Sequence, residues 1–127
     1  MGLDMYLFRK KHGEPFEKGT EVMYWRKANA IRGFFVNNIK DFHRDDNCKE
    51  VVVKKKVLAK LIATCNAVLN DKRKADKLLP TRSGFFFGGT DYDEYYFDEL
   101  KKTAGACREI INETDWKKEE IVYYDWW

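Results

Sequence analysis

Two strand-like segments lie at opposite ends of this 127-residue sequence, with helical patterns between them. Near the start, Leu3, Met5 and Leu7 alternate with other side chains, and this alternation predicts a strand over 2–8. The last segment, 121–127, reads IVYYDWW. A terminus so dense in aromatic side chains is expected to pack against the rest of the chain. We therefore predict that the two end segments pair in one sheet.

Apolar side chains at 3.6-residue spacing predict three helices, over about 24–40, 57–70 and 90–112. The Val-Val-Val run at 51–53 predicts another short strand, and the three phenylalanines at 85–87 predict either a short strand or a buried loop. The chain is long enough for one domain and too short for two of ordinary size. The prediction is a single α+β domain over 1–127, with about three helices packed on a small, mostly antiparallel sheet.

Composition excludes several classes of protein. Hydrophobic residues make up 44% and charged residues 35% of the chain, with only two prolines, which excludes disordered and collagen-like sequences. No apolar run approaches the roughly 18–20 residues that span a bilayer, and the first residues lack the pattern of a secretory signal. Three widely spaced cysteines, Cys48, Cys65 and Cys107, indicate neither a disulfide framework nor a zinc site. We expect a soluble cytoplasmic protein with reduced thiols and no membrane partner.

Common catalytic motifs are missing from the sequence. It has no Gly-x-x-x-x-Gly-Lys-Ser/Thr phosphate loop, no Gly-x-Gly-x-x-Gly, no His-Glu-x-x-His and no Cys-x-x-Cys. Ser83 is the single serine, and His12 and His43 lie in predicted loops, which disfavours a Ser-His-Asp hydrolase and a stable metal site. We predict no catalytic residue, no metal site and no cofactor, and we favour a protein that binds rather than catalyses.

The first predicted helix carries a candidate ligand site at the border of its apolar stripe. Trp25, Asn29 and Arg32 follow one another at i, i+4 and i+7. They offer a ring for stacking, an amide that donates and accepts, and a guanidinium that binds phosphate in a planar fork. This trio is predicted to hold a nucleotide. The alternative is that Arg32 lies along the core and pairs with an internal carboxylate.

Asp93 falls on the same stripe of the third predicted helix as Phe97, so we expect its carboxylate to face the core. Burying a carboxylate without a partner is costly, and Arg26 or Arg32 is the expected partner. The alternative is that Asp93 lies in the N-terminal turn of the helix and is stabilised by the helix dipole. Tyr92, beside it, either contacts a ligand or fills the core.

Glycine-containing turns flank the phenylalanine run. The sequences Thr-Arg-Ser-Gly (81–84) and Gly-Gly-Thr (88–90) expose backbone N–H groups just before a predicted helix, a place that favours anions. Thr81, Arg82 and Gly84 are therefore candidate ligand contacts, with Arg82 adding charge. The alternative is that the glycines simply form turns.

Basic runs at 54–56 and 71–77 are candidate contacts for nucleic acid. However, the 24 basic side chains are nearly balanced by 21 acidic ones, for a formal net charge of +3. Solvated helix ends are the better explanation, and nucleic acid is a secondary partner prediction.

Five blocks stand out along the chain: GLDMYL (2–7), YWRKAN (24–29), LPT (79–81), GFFFG (84–88) and YDE (92–94). As a set they resemble a family of small uncharacterised proteins encoded by phages, prophages and bacteria, over nearly the whole chain. Most members of that family have no assigned activity. The motif positions coincide with residues singled out above, namely Trp25, Arg26, Asn29, Thr81, Gly84 and Asp93. Arg32 stands where the resemblance implies histidine, so a shared acid–base role does not carry over there.

The leading functional prediction is a non-enzymatic binder of a small anionic, nucleotide-like ligand. The resemblance implies a role in host takeover or counter-defence, in the host cytoplasm if the protein is phage-encoded. The predicted ligand-binding residues are Trp25, Arg26, Asn29, Arg32, Thr81, Arg82, Gly84, Tyr92 and Asp93. Three alternatives remain. They are an interaction module that forms a homodimer or inhibits a host protein through its aromatic tail, an enzyme using Asp93 or Glu94 with Arg26, and a nucleic-acid-binding protein.

Overall fold

The computed structural model describes residues 2–84 and 88–127. Its strands are β1 (Asp4–Lys11), β2 (Thr20–Arg26), β3 (Val51–Val53) and β4 (Glu119–Trp126). Its α-helices are α1 (Asn29–Asn38), α2 (Lys55–Asn70), α3 (Ala75–Leu78) and α4 (Glu94–Glu113). Two single turns of 3-10 helix, Phe16–Lys18 and Lys72–Lys74, complete the regular structure of this part of the chain.

The four strands form one antiparallel sheet in the order β2-β1-β4-β3. β1 and β4 lie at its centre and pair along their whole length, from Asp4 opposite Trp126 to Lys11 opposite Glu119. This confirms the predicted pairing of the two end segments and the α+β fold.

The hydrophobic core lies between one face of the sheet and the helices. Strand alternation turns Met5, Leu7 and Tyr123 inward, where all three are fully buried. Leu61 of α2 and Leu100 of α4 belong to the same buried cluster. Removing this apolar surface from water is the main favourable contribution to folding.

The first helix begins later than the apolar spacing predicts. Tyr24 and Trp25 belong to β2, where they pair with Tyr6 and Met5 of β1, and α1 starts only at Asn29. A strand is favoured here because β1 offers backbone partners, and because alternation turns the Trp25 ring into the core. The predicted helix over 24–40 is therefore wrong over 24–28, and the strand β2 was not predicted.

The other predicted elements agree with the structure apart from their ends. β3 and α2 lie where predicted, whereas α4 begins at Glu94 because Asp93 is its N-cap. The segment 71–78, which includes the basic run at 71–77, contains a 3-10 turn and α3. The short strand or buried loop predicted at 85–87 lies outside the described residues. Along the described chain, no helix has the length and apolar character needed to cross a membrane.

Candidate functional site

A cavity of about 320 Å³ opens between the start of α1, the segment leading into α4, and the first half of α4. We name it the α1–α4 cavity and define it by Arg26, Lys27, Asn29, Thr81, Asp93 and Glu99 on its walls. Four of these six residues, Arg26, Asn29, Thr81 and Asp93, are among the ligand-binding residues predicted from the sequence. Part of the predicted site therefore meets at one cavity.

One wall of the α1–α4 cavity is basic and is shaped by a close backbone approach. β2 ends at Arg26, and Lys27 then adopts a left-handed conformation with φ of 57°, which is uncommon for a residue with a side chain. Gly88, with φ of 87°, lies against it, because a Cβ on Gly88 would be 2.9 Å from the Cβ of Lys27. Only glycine allows the segment before α4 to lie this close to the start of α1.

The N-terminus of α1 belongs to the same basic wall. Its cap residue, Ala28, makes no side-chain hydrogen bond to the helix. Ala30 and Ile31 line the cavity, and their N–H groups lie at the positive end of the helix dipole. Arg26 adds a charge. Its ion pair with Asp4 is long, at 3.7 Å, and its side chain is 56% exposed, so the pair contributes little and the guanidinium stays accessible.

Another wall of the α1–α4 cavity is acidic and holds Asp91, Asp93 and Glu99. Asp93 accepts a hydrogen bond from the backbone N–H of Tyr96 at 3.0 Å, and so caps α4. Burial raises the pKa of Glu99, while the positive charge of Lys102 opposes that shift. Carboxylates on this wall can accept hydrogen bonds from the amino groups of a ligand.

Asn29 and Thr81 hold the segment before α4 in place. The Asn29 side chain is buried, and its Nδ2 donates to the carbonyl of Gly89 at 2.8 Å. Its Oδ1 accepts from the backbone N–H of Arg82, also at 2.8 Å. The Thr81 hydroxyl donates to the carbonyl of Thr90 at 2.9 Å. Two predicted ligand contacts therefore act as positioning residues for the cavity wall.

Tyr92, Gly84 and Arg82 lie apart from the walls of the α1–α4 cavity. The Tyr92 hydroxyl accepts from the backbone N–H of Thr81 at 3.2 Å, and its ring packs edge-on against Tyr96. Gly84 is exposed, and Arg82 lines a second depression. Tyr92 therefore supports the same segment, and the prediction that it contacts a ligand here is not supported.

The predicted stacking role of Trp25 is wrong. Its ring is 2% exposed, its Nε1 donates to Oγ1 of Thr103 at 2.8 Å, and it packs edge-on against Phe35. A ligand in the α1–α4 cavity does not reach it. The error follows from the helix boundary, because in a strand the side chain points into the core instead of along a helix border with Asn29.

Arg32 is also a structural residue, so its predicted contact with phosphate is wrong. It is 1% exposed, and its Nε donates to Oδ2 of Asp125 at 2.6 Å. Its terminal nitrogens donate to the carbonyls of Arg44 at 3.0 Å and Asp46 at 2.7 Å. The alternative, a pair with an internal carboxylate, is confirmed, and that carboxylate belongs to β4.

The prediction that Asp93 faces the core and pairs with Arg26 or Arg32 is wrong as well. Asp93 is exposed and caps α4, because a carboxylate at that position satisfies a helix N–H while remaining in water. The alternative, a carboxylate at the start of the helix, is confirmed. Each arginine has another carboxylate instead, Asp4 for Arg26 and Asp125 for Arg32.

The buried carboxylate is that of Asp125, and the sequence pattern of the last strand indicates its burial. In the final strand, alternation places Ile121, Tyr123 and Asp125 on one face, and all three are fully buried. Burial raises the pKa of Asp125, although hydrogen bonds from Tyr123 and Arg32 act against that shift.

Sequence reasoning missed three charged residues of the α1–α4 cavity, namely Lys27, Asp91 and Glu99. Their positions in the sequence were the available indication. Lys27 lies between the predicted ligand contacts Arg26 and Asn29, and Glu99 directly precedes the buried Leu100 on α4. Within residues 2–84 and 88–127, no group of three His, Cys, Asp or Glu side chains is placed to hold a metal ion.

Comparison with protein-family models, with curated proteins and with solved structures finds no match. The resemblance to phage and bacterial proteins stays a prediction. Any functional assignment must therefore be argued from the chemistry of the site.

Proposed function

We propose that this protein binds a nucleoside monophosphate, or a molecule of similar size and charge, in the α1–α4 cavity. The observation that supports this most strongly is that a basic wall and an acidic wall face one cavity. A mononucleotide carries a phosphate at one end and hydrogen-bond donors on its base at the other. The volume of about 320 Å³ lies near the lower end of the range for small-molecule sites, roughly 300–1,000 Å³, which favours one nucleotide over a larger cofactor.

The proposal gives each wall a role in binding. Arg26 and Lys27 neutralise the phosphate, and the first N–H groups of α1 donate to it. Asp91 and Glu99 accept from amino groups on the base. Tyr95 lines the cavity and is 74% exposed, so its ring replaces Trp25 as the stacking partner.

In this proposal the protein sequesters its ligand without chemistry. If the resemblance to phage and bacterial proteins holds, sequestration of a nucleotide in the host cytoplasm would serve host takeover or counter-defence. Activity of that kind depends on affinity and protein concentration rather than on turnover.

The test is isothermal titration calorimetry with nucleoside monophosphates, diphosphates and cyclic nucleotides. We expect Arg26→Ala to weaken binding about tenfold, since a charge-assisted contact is lost. Arg108→Ala is the matched control, because Arg108 is exposed on α4 and lies outside the cavity. The proposal is wrong if no nucleotide binds, or if both variants bind as tightly as the wild type.

A second candidate function is self-association through the face of the sheet that points away from the helices, part of which Phe16 covers. Tyr24, Tyr6 and Tyr124 form a row across β2, β1 and β4, with the rings of Tyr6 and Tyr24 at 5.2 Å. Trp126 and Val52 lie 55% and 51% exposed on the same face. Exposed tyrosine and tryptophan are enriched at protein interfaces.

We propose a second copy of the chain as the partner, because Arg26 and Asp4 are neighbours in one cross-strand row and a twofold axis would place each against its opposite. Truncation of the tail is a poor test, since the backbone of Trp127 is hydrogen bonded to Asn47. Sedimentation of Tyr24→Ala and Trp126→Ala tests it instead. A wild type that is monomeric at high concentration would exclude this candidate.

A further inference from the structure

A second depression, of about 210 Å³, lies beside the middle of α1. We name it the arginine pocket and define it by Arg32, Gly33, Asn37, Arg44, Arg82 and Ser83. Three of these residues are arginines, and no described residue of the lining is acidic. The pocket is therefore more strongly basic than the α1–α4 cavity.

The backbone of Arg82 is anchored, and its side chain passes over α1. Its backbone N–H donates to Oδ1 of the buried Asn29 at 2.8 Å. Its side chain lies across Gly33, where an added Cβ would be 3.1 Å from both Cγ and Nε of Arg82. Within the described residues its guanidinium forms no ion pair. Arg82 thus offers a positioned charge that no carboxylate neutralises.

Arg44 brings a second available charge to the pocket. Its carbonyl accepts from Arg32 at 3.0 Å, which fixes the backbone of the loop before β3. Among the residues that the structure describes, its side chain pairs with Asp45 alone, at 3.8 Å, with the two side chains 83% and 92% exposed. A surface pair this long contributes little, so Arg44 can turn to an anion at low cost.

Arg32 forms the inner wall of the pocket, and its charge is already balanced by Asp125. Arg44 and Arg82 line the same pocket, so an anion bound there would be attracted by both positive charges. Guanidinium groups bind phosphate through paired N–H donors, and Asn37 and Ser83 add neutral donors.

We propose that the arginine pocket binds the phosphate group of a small molecule. Its volume is below the roughly 300 Å³ of sites for larger ligands, which favours inorganic phosphate, pyrophosphate or a small phosphate monoester. This site borders the α1–α4 cavity at Asn29, which lines both, but its three arginines lie outside that cavity and the proposal does not rest on the function proposed for it.

The test is calorimetric titration with inorganic phosphate and with pyrophosphate at constant ionic strength. We expect Arg82→Ala and Arg44→Ala each to weaken binding about tenfold or more. Gly33→Ala keeps every charge and favours the helix, yet its Cβ displaces Arg82, so it should weaken binding too. Arg108→Ala should bind as the wild type does, and thermal melts would confirm that all four variants are folded.

Two results would overturn the proposal. One is that neither anion binds the wild type. The other is that Arg26→Ala abolishes phosphate binding while Arg82→Ala and Arg44→Ala leave it unchanged, which would place the anion in the α1–α4 cavity. Absence of nucleotide binding in the cavity, with phosphate binding that depends on Arg82, would refute the proposed function and support this site.

Discussion

Arg32 and Arg82 line the same pocket, yet they differ in exposure to solvent and in the partners of their guanidinium groups. Arg32 is 1% exposed and bonded to Asp125 and to two backbone carbonyls. Arg82 is exposed and lies over a glycine, with no described ion pair. The first joins α1 to β4, and the second presents a charge to solvent. The comparison shows that an arginine is available to a ligand only where the fold has left its donors unused.

Replacing these two arginines by alanine should change the free energy of unfolding by very different amounts. Arg32→Ala leaves the fully buried Asp125 without its counter-charge, and we expect a loss of about 3–5 kcal/mol in the free energy of unfolding. Arg82→Ala should stay within about 0.5 kcal/mol of the wild type. Urea denaturation measures both. Equal losses in the free energy of unfolding for the two variants would mean that Arg82 also stabilises the fold and that the two arginines do not differ in role.

A smaller loss of stability is expected at Gly88, where the segment before α4 packs closely against Lys27. Gly88→Ala puts a side chain into a left-handed conformation and against Lys27, so we expect a loss of about 1–3 kcal/mol. Gly89→Ala is the matched control, since its Cβ would meet nothing within 4 Å. If Gly88→Ala melts like the control in a thermal scan, the close approach to Lys27 does not shape the cavity.

Asp93 allows the same distinction, between a structural role and a role in ligand binding, to be tested for a carboxylate. Asp93→Ala should cost about 1 kcal/mol because it removes the cap of α4, whereas Asp93→Ser restores a capping oxygen and most of that stability. Nucleotide titration of the serine variant then tests the charge alone. Unchanged affinity would identify Asp93 as a helix cap only, and weaker binding would show that its charge also contributes to ligand binding.

The smallest effect concerns Glu120 on β4, which is paired with Lys10 at 2.7 Å and His12 at 3.0 Å. Partial burial opposes ionisation of Glu120, but the hydrogen bonds from Lys10 and His12 outweigh it and lower its pKa. The unfolded chain therefore binds a proton more readily, and Glu120 stabilises the fold above pH 4.5, its ordinary pKa.

That stabilisation is lost as the pH falls below 4.5 and through the lower pKa of the folded state. The difference in unfolding free energy between wild type and Glu120→Gln should accordingly shrink on acidification, as followed by urea titrations at several pH values. A difference that stays constant from neutral pH to pH 3 would mean that the pair with Lys10 and His12 does not stabilise the charge.

Strand alternation predicted the fold well, since Leu3, Met5, Leu7 and the last segment gave the central pair β1 and β4. The site was harder to predict. Trp25 satisfied a helical spacing and a strand alternation equally, and only the partner strand decides between them. Asp93 satisfied a core stripe in the sequence, but the helix starts at Glu94, about four residues later than predicted, which turns the carboxylate into a cap.

The cavity itself could not be predicted by spacing. It depends on the contact between Lys27 and Gly88 and on the hydrogen bonds of Asn29 to Gly89 and Arg82, which join segments more than 50 residues apart in the sequence. The sequence alone draws attention to Gly88 and Asn29, but it does not indicate which residues they contact in the folded chain.

The position of β4 between β1 and β3 has a consequence for synthesis on the ribosome. β1 is made first, but its neighbour β4 follows only after more than a hundred further residues. At ~5–20 residues per second, β1 waits for seconds with one hydrogen-bonding edge uncovered, and β3, whose partner in the sheet is β4, waits unpaired. Nascent chains that end before Glu119 are therefore expected to be the species that chaperones capture and that aggregate when capture fails.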